Sequence, residues 1–317
     1  MNLRAKSLLQ GRRTIAAVAP CGIMIATTGP QNASHAWAGL DGAGTDDRLG
    51  PGDDQAEPAL WSCASGHGKL KSLCETEKTL RENLRRSMHR LIDGVLRFHR
   101  DIHGPKRDLF TQLGEAQAPF AMFVACSDSR VVPELLTQRE PGEIFVVRNV
   151  GNIIPSYAPS AGGVSASIEY AIAALGIESI VVCGHSDCGA MKAILREDRV
   201  DKMPAVAGWI KHAAAAKNIV DATLPPSSDE RTRLHALVHE NVLCQLRNLQ
   251  THPIAAEKLA TGRLKLYGWV YNIENGTVDT FDAATGQFVR LTEGSRAHAT
   301  PANTARICRA AGLVQPD

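Results

Sequence analysis

Five residues in two short segments carry the chemistry of this sequence. Cys126, Asp128 and Arg130 stand in Cys-Ser-Asp-Ser-Arg, and His185 and Cys188 in His-Ser-Asp-Cys-Gly. Two thiols and an imidazole are good zinc ligands. Three protein ligands leave one tetrahedral position for water, the arrangement of a catalytic site. No fourth Cys or His is as convincingly placed to close the shell. Asp128 is the neighbouring group able to do so. Zinc held by two thiolates and one imidazole carries roughly no net charge and acidifies its water less than zinc on three imidazoles. Asp128 is therefore the candidate to accept a hydrogen bond from that water and orient it. Arg130 is the candidate to hold Asp128 ionised through a bidentate pair. The rival readings are a closed zinc site, a pair of buried thiols, or a redox module with Cys126 as a reactive thiol. The neighbouring carboxylate argues against the last, because it raises a thiol pKa.

Both segments follow apolar runs. Residues 120–126 and 179–184 have the continuous apolar character of buried strands. An extended chain past Cys126 would point positions 126, 128 and 130 the same way. The three-residue step from His185 to Cys188 suits one face at the mouth of a helix, with Gly184 and Gly189 allowing a tight passage. Further strands are expected at 144–148 and 264–271, and an Asn275-Gly276 hairpin turn joins 269–274 to 277–281. Helical patterns cover 163–175, 188–197, 205–218, 230–250 and 252–260. This alternation predicts an α/β fold with a mostly parallel central sheet flanked by helices on both faces. A site beyond the carboxyl ends of its strands fits that architecture. Cys183 reads as a buried strand thiol.

The chain has 317 residues, net charge +2 and interspersed acids and bases. That balance gives no sign of a nucleic-acid partner. No apolar run reaches the ~20 residues that span a membrane. Eight cysteines in this length are not a disulfide framework.

At this point the sequence resembles the β-class carbonic anhydrases. The matching stretches are C-S-D-S-R at 126–130, R-N-V-G-N at 148–152, A-S-I-E-Y-A at 166–171 and C-G-H-S-D-C-G-A-M at 183–191. The resemblance runs from about Met88 to about Leu291. Residues 132–143, 163–167 and 248–253 bring it nearest the bacterial branch encoded beside cyanase. The resemblance implies reversible hydration of carbon dioxide to bicarbonate, one zinc per subunit on Cys126, His185 and Cys188, and catalytic roles for Asp128 and Arg130. It also implies a substrate pocket of Gln117, Phe145, Val150, Tyr170 and Gly189. On sequence alone Phe145, Val150 and Tyr170 would be assigned to the core. In some members of the family this aspartate becomes a pH-dependent fourth ligand, but the plant-like pocket favours an open site, with Asp128 off the metal. COS or CS₂ is the alternative substrate on the same scaffold. Two departures stand out: Tyr267-Gly268-Trp269 where many members have His-Gly-Trp, and Asp187 between the ligands. No histidine is identifiable as a proton shuttle; His89, His99, His103, His212, His235, His239 and His252 are available, most of them expected on surfaces.

Three regions are expected: an amino-terminal extension at 1–87, a catalytic domain at 88–291 and a poorly ordered tail at 292–317. Residues 75–103 read as an amphipathic helix with Leu80, Leu84, Met88, Leu91, Ile92, Val95 and Phe98 on one stripe. In the family such helices embrace a neighbouring subunit, implying a homodimer or higher even oligomer. The first 38 residues have weak secretory features, and 41–58 reads as linker. Cys63, His67 and Cys74 read as incidental, with a Cys63–Cys74 disulfide available after export. A start near Met88 implies a cytoplasmic protein; a genuine signal peptide implies the periplasm.

Overall fold

The computed structural model describes residues 68–158, 162–196 and 200–294. The expected leader and linker, Cys63, and the tail from 295 onward lie outside the described residues, so the expected Cys63–Cys74 pair does too. Helix α1 spans Gly68–Arg97 and runs through a π-helical turn to His103. After α2 (Arg107–Glu115) come β1 (Ala121–Cys126), α3 (Pro133–Thr137) and β2 (Ile144–Asn149). Then follow α4 (Gly163–Glu169), β3 (Ser179–His185), α5 (Gly189–Leu195), α6 (Pro204–Ile210), α7 (Ala214–Thr223), α8 (Glu230–Leu249) and α9 (Pro253–Ala260). The chain closes with β4 (Lys265–Tyr271), β5 (Val278–Asp282) and β6 (Gln287–Arg290).

The sheet is mixed, in the order β2-β1-β3-β4-β5-β6. The first four strands are parallel, while β5 and β6 add antiparallel. Strand β6 was not expected from its Gly- and Thr-rich surroundings. It forms because Phe288 meets Phe281 across the ladder, their rings 5.5 Å apart. The chain leaves β1 for β2 on one side, then crosses to β3 on the other. The strand order reverses between β1 and β3, which is where an open α/β sheet forms a crevice at its carboxyl edge. Cys126 ends β1 and His185 ends β3.

The main core packs α4, α5 and α7 to α9 on one sheet face through Met122, Val124, Ile168, Ile180, Val182, Val242 and Leu246. Two glycines let α8 approach. A Cβ on Gly184 would stand 2.9 Å from Val242, and so would one on Gly268. Gly184 thus serves close packing rather than a turn. The opposite face is thinner: Phe123, Ala125, Val181 and Cys183 are buried, but Tyr267, Trp269 and Tyr271 are only partly covered. Val131 and Leu136 cover that face less completely, and β2 is an edge strand with no fully buried residue.

Candidate metal centre

Strand β1 ends at Cys126, so the extended geometry expected past it does not persist. Asp128 Oδ1 accepts the backbone N–H of Arg130 at 3.0 Å, closing a short side-chain-to-backbone turn. That turn, not strand parity, brings the Asp128 and Arg130 side chains together. Arg130 then grips both carboxylate oxygens, Nε to Oδ1 at 2.9 Å and Nη2 to Oδ2 at 2.8 Å. On the second segment the expected shared helix face is also absent. His185 is the last residue of β3 and Cys188 is the N-cap of α5. Asp187, at φ 60° in the left-handed region, makes the turn between them. Aspartate tolerates this conformation better than most residues.

These turns converge three donors. Cys126 Sγ, a ring nitrogen of His185 and Cys188 Sγ all lie within 4.8 Å of one another, and all three residues are buried. No other such group of three exists among the described residues. His185 Nδ1 lies 2.8 Å from the carbonyl of Ser186 and must donate to it, which leaves the Nε2 lone pair facing the thiols. Nε2 is buried with no hydrogen-bond partner among the described residues. Two thiols and an orphaned, correctly oriented imidazole nitrogen fit a zinc ion. Asp128 Oδ2 lies 4.0 Å from His185 Nε2, and Asp128 stands outside the compact donor group.

The electrostatics suit a cation. The Cys126 thiol is held down to about 4, chiefly because Cys188 donates to it, with the Gly151 N–H assisting against the cost of burial. Cys188 is pushed up because it gives that hydrogen bond and is buried. A divalent ion between them favours ionisation of both. The Arg130 pairing holds the Asp128 carboxyl far below the usual carboxylate range. Cys183, 0% exposed on the other sheet face, is pushed up to about 12 by burial and stays a neutral packing thiol.

Several supporting residues were not singled out from sequence. Arg148, within a motif noted for resemblance alone, donates to the carbonyls of Cys126 at 3.1 Å and Asp128 at 2.7 Å. The Gly151 N–H reaches Cys126 Sγ at 3.3 Å. A polar ladder on α8 fixes the loop that carries it. Asn241 donates to the Gly151 carbonyl, Gln245 accepts from the Ile154 N–H, and Asn248 donates to the Ile154 carbonyl. Three amides spaced along a buried helix face, at 241, 245 and 248, were the available signal. His252, among the possible shuttles, is fully buried with Nε2 bonded to the Pro155 carbonyl.

The residues expected to line a pocket fall into two sets. Val150 adjoins Gly151 and accepts from Trp209 Nε1 at 2.8 Å. Gly189 opens α5 directly after Cys188. Both stand next in sequence to groups at the triad. Phe145 pairs with Met122, four residues before Cys126, so ~13 Å of strand separates them. Tyr170 stands with Phe145, ring centroids 6.1 Å apart. Gln117 precedes β1, at the opposite end of that strand from Cys126. Within one chain, Gln117, Phe145 and Tyr170 are not brought to the triad.

A family model described as carbonic anhydrase matches residues 121–278. The carbonic anhydrase of Pseudomonas aeruginosa is 58% identical over 206 residues, covering 65% of this chain and 93% of that protein. The solved β-carbonic anhydrase CcaA superposes with a TM-score of 0.65 at 43% identity, over 69% of this chain and 96% of that one. Tetrameric β-carbonic anhydrases of the ascomycete Sordaria macrospora match at TM-score 0.50 and 28% identity, over 64% and 96%. With its mixed sheet, its flanking helices and its Cys-His-Cys group at the strand crossover, the chain belongs to the β-class carbonic anhydrase family.

Proposed function

We propose that this enzyme hydrates carbon dioxide reversibly to bicarbonate and a proton, using one zinc ion per subunit held by Cys126, His185 and Cys188. The observation that carries this reading is the buried three-donor group beside an aspartate that Arg130 holds ionised and outside it. Zinc, when bound by Cys126, His185 and Cys188, would supply a Lewis acid able to acidify a water. Asp128 accepts a hydrogen bond from the attacking water, leaving a lone pair aimed at the carbon of CO₂. Arg130 prevents Asp128 from taking up the proton and engages both oxygens, which favours the open arrangement. Val150 offers an apolar wall to an apolar substrate. The N–H of Gly189, in the first turn of α5, has no intrahelical acceptor and can donate to the product.

Gln117, Phe145 and Tyr170 complete the pocket of a second copy. They do so across an interface, because their own triad lies at the other end of the strand. The surface supports pairing. Strand β2 is an unpaired edge, and Phe120, Leu135 and Tyr170 near it are exposed. Leu84, Leu91 and Val95 on α1 are 62, 65 and 66% exposed along one stripe. Apolar surface of that extent marks an interaction site. The stripe on α1 lies against the partner subunit in a homodimer, or in a tetramer built from it. No described helix is long and apolar enough to cross a membrane. Bicarbonate supply to a cyanate-degrading reaction is the physiological role suggested by the motif resemblance. A start near Met88 makes that role cytoplasmic, and export of a longer chain makes it periplasmic.

Stopped-flow hydration of CO₂ on protein of measured zinc content tests the activity. Wild type is active in proportion to bound zinc. Cys126→Ser loses zinc and activity together, whereas Asp128→Ala keeps zinc and loses about 100-fold or more of the rate. Zinc-loaded wild type without activity contradicts the proposal.

A further inference from the structure

Arg130 has two sides, and Asp128 occupies only one. The outer side is held from the ligand turn itself: Arg130 Nη1 donates to Asp187 Oδ2 at 3.1 Å, and Nη2 donates to the Asp187 carbonyl at 3.3 Å. The other Asp187 oxygen is anchored by Lys192 Nζ on α5. Asp187 sits at φ 60° between His185 and Cys188, a left-handed conformation that aspartate accepts more readily than most residues. Beyond the pair opens a cleft of about 780 Å³, walled by Arg130, Asp187, Glu230, Glu274 and Asp279 among others. Arg130 is 43% exposed. A guanidinium released on its outer side would have open space in which to move away from Asp128.

We propose that Asp187 is a positioning residue. It clamps the outer side of Arg130 so that both oxygens of Asp128 stay engaged and the carboxylate is withheld from the metal. Lys192 holds the clamp in place. An exposed ion pair of this kind contributes little to stability; its effect is on orientation. Without it, Asp128 is free to turn into the fourth position and compete with any other ligand there. The inference rests on the metal reading above and deepens it.

The test is azide affinity of the cobalt(II)-substituted protein, read from its visible spectrum at fixed neutral pH, a measurement independent of catalysis. Asp187→Gly removes the carboxylate while suiting the left-handed backbone, and Asp187→Asn keeps shape and backbone preference but not charge. Both variants are expected to bind azide about tenfold or more weakly than wild type. The double variant Asp187→Gly with Asp128→Asn is expected to recover wild-type affinity, because the competing carboxylate is gone. Equal affinity in wild type and Asp187→Gly overturns the proposal. So does a loss that persists in the double variant, since Asp187 would then only be supporting the ligand turn. A wild-type chain that takes up no cobalt overturns the metal reading and this one together.

Discussion

At the scale of the residue, the centre depends on how two thiols and one imidazole are held before any ion arrives. Burial alone would keep both thiols neutral, as it does for Cys183. The hydrogen bond from Cys188 and the Gly151 N–H instead favour one shared negative charge on Cys126. The metal-free chain is therefore expected to show one buried thiolate at neutral pH in its ultraviolet absorbance, absent in Cys126→Ser. The folded pKa, about 4, lies below the ordinary thiol value. This ionisation therefore adds stability that is complete above the unfolded-state pKa and is lost as pH falls toward the folded one. Chemical unfolding of the metal-free protein at several pH values checks the sign: wild type should lose more stability than Cys126→Ser as the pH is lowered toward 4. His185→Ala leaves the thiols but removes the nitrogen ligand. It should weaken zinc binding well beyond the ~10–100-fold typical of losing an outer partner such as Arg148, measured by competition with a chelator.

At the scale of the element, the carboxyl ends of β1 and β3 place the ligands, and α8 holds the loop that trims them. Gln245→Leu strands the Ile154 N–H and frees Asn241. It is expected to cost about 1–3 kcal/mol in denaturant unfolding and to raise the Cys126 pKa by loosening Gly151. Gly268→Ala puts a methyl 2.9 Å from Val242 and 3.0 Å from Leu246. It should cost about 1–3 kcal/mol as overpacking. The strands and helices were legible because their apolar periods are long and uninterrupted. So were the ligands, because three zinc-type side chains each follow such a run. The turns were not legible: pattern alone read Asp128–Arg130 as strand parity and His185–Cys188 as a helix face. Both pairs are made by single aspartates, Asp128 capping the Arg130 N–H and Asp187 adopting a left-handed backbone. Such geometry depends on one side chain's local bonding and leaves no period to read. The shortness of β6 and the Gly-rich chain around it hid the last strand in the same way.

At the scale of the whole molecule, one chain holds the metal group at one end of the parallel strands and part of the expected pocket at the other. The pairing of two copies proposed above supplies what one lacks. Leu91→Asp with Val95→Asp should shift sedimentation toward monomer and lower activity without reducing zinc per chain. A more specific check mixes two inactive chains, Cys126→Ser and the Phe145→Ala, Gln117→Ala double variant, under conditions that exchange subunits. Activity should reappear, because half the pockets of a hybrid dimer combine an intact triad with intact pocket residues from the other chain. The most direct measurement of the central claim is CO₂ hydration by metal-free protein titrated with zinc, followed from about pH 6.5 to about pH 9, the span around an acidified metal-held water. The account predicts activity that grows linearly to one zinc per chain, rises with pH, and falls about 100-fold or more in Asp128→Ala at unchanged zinc content. Protein carrying one zinc per chain that hydrates no CO₂ at any of these pH values would contradict it.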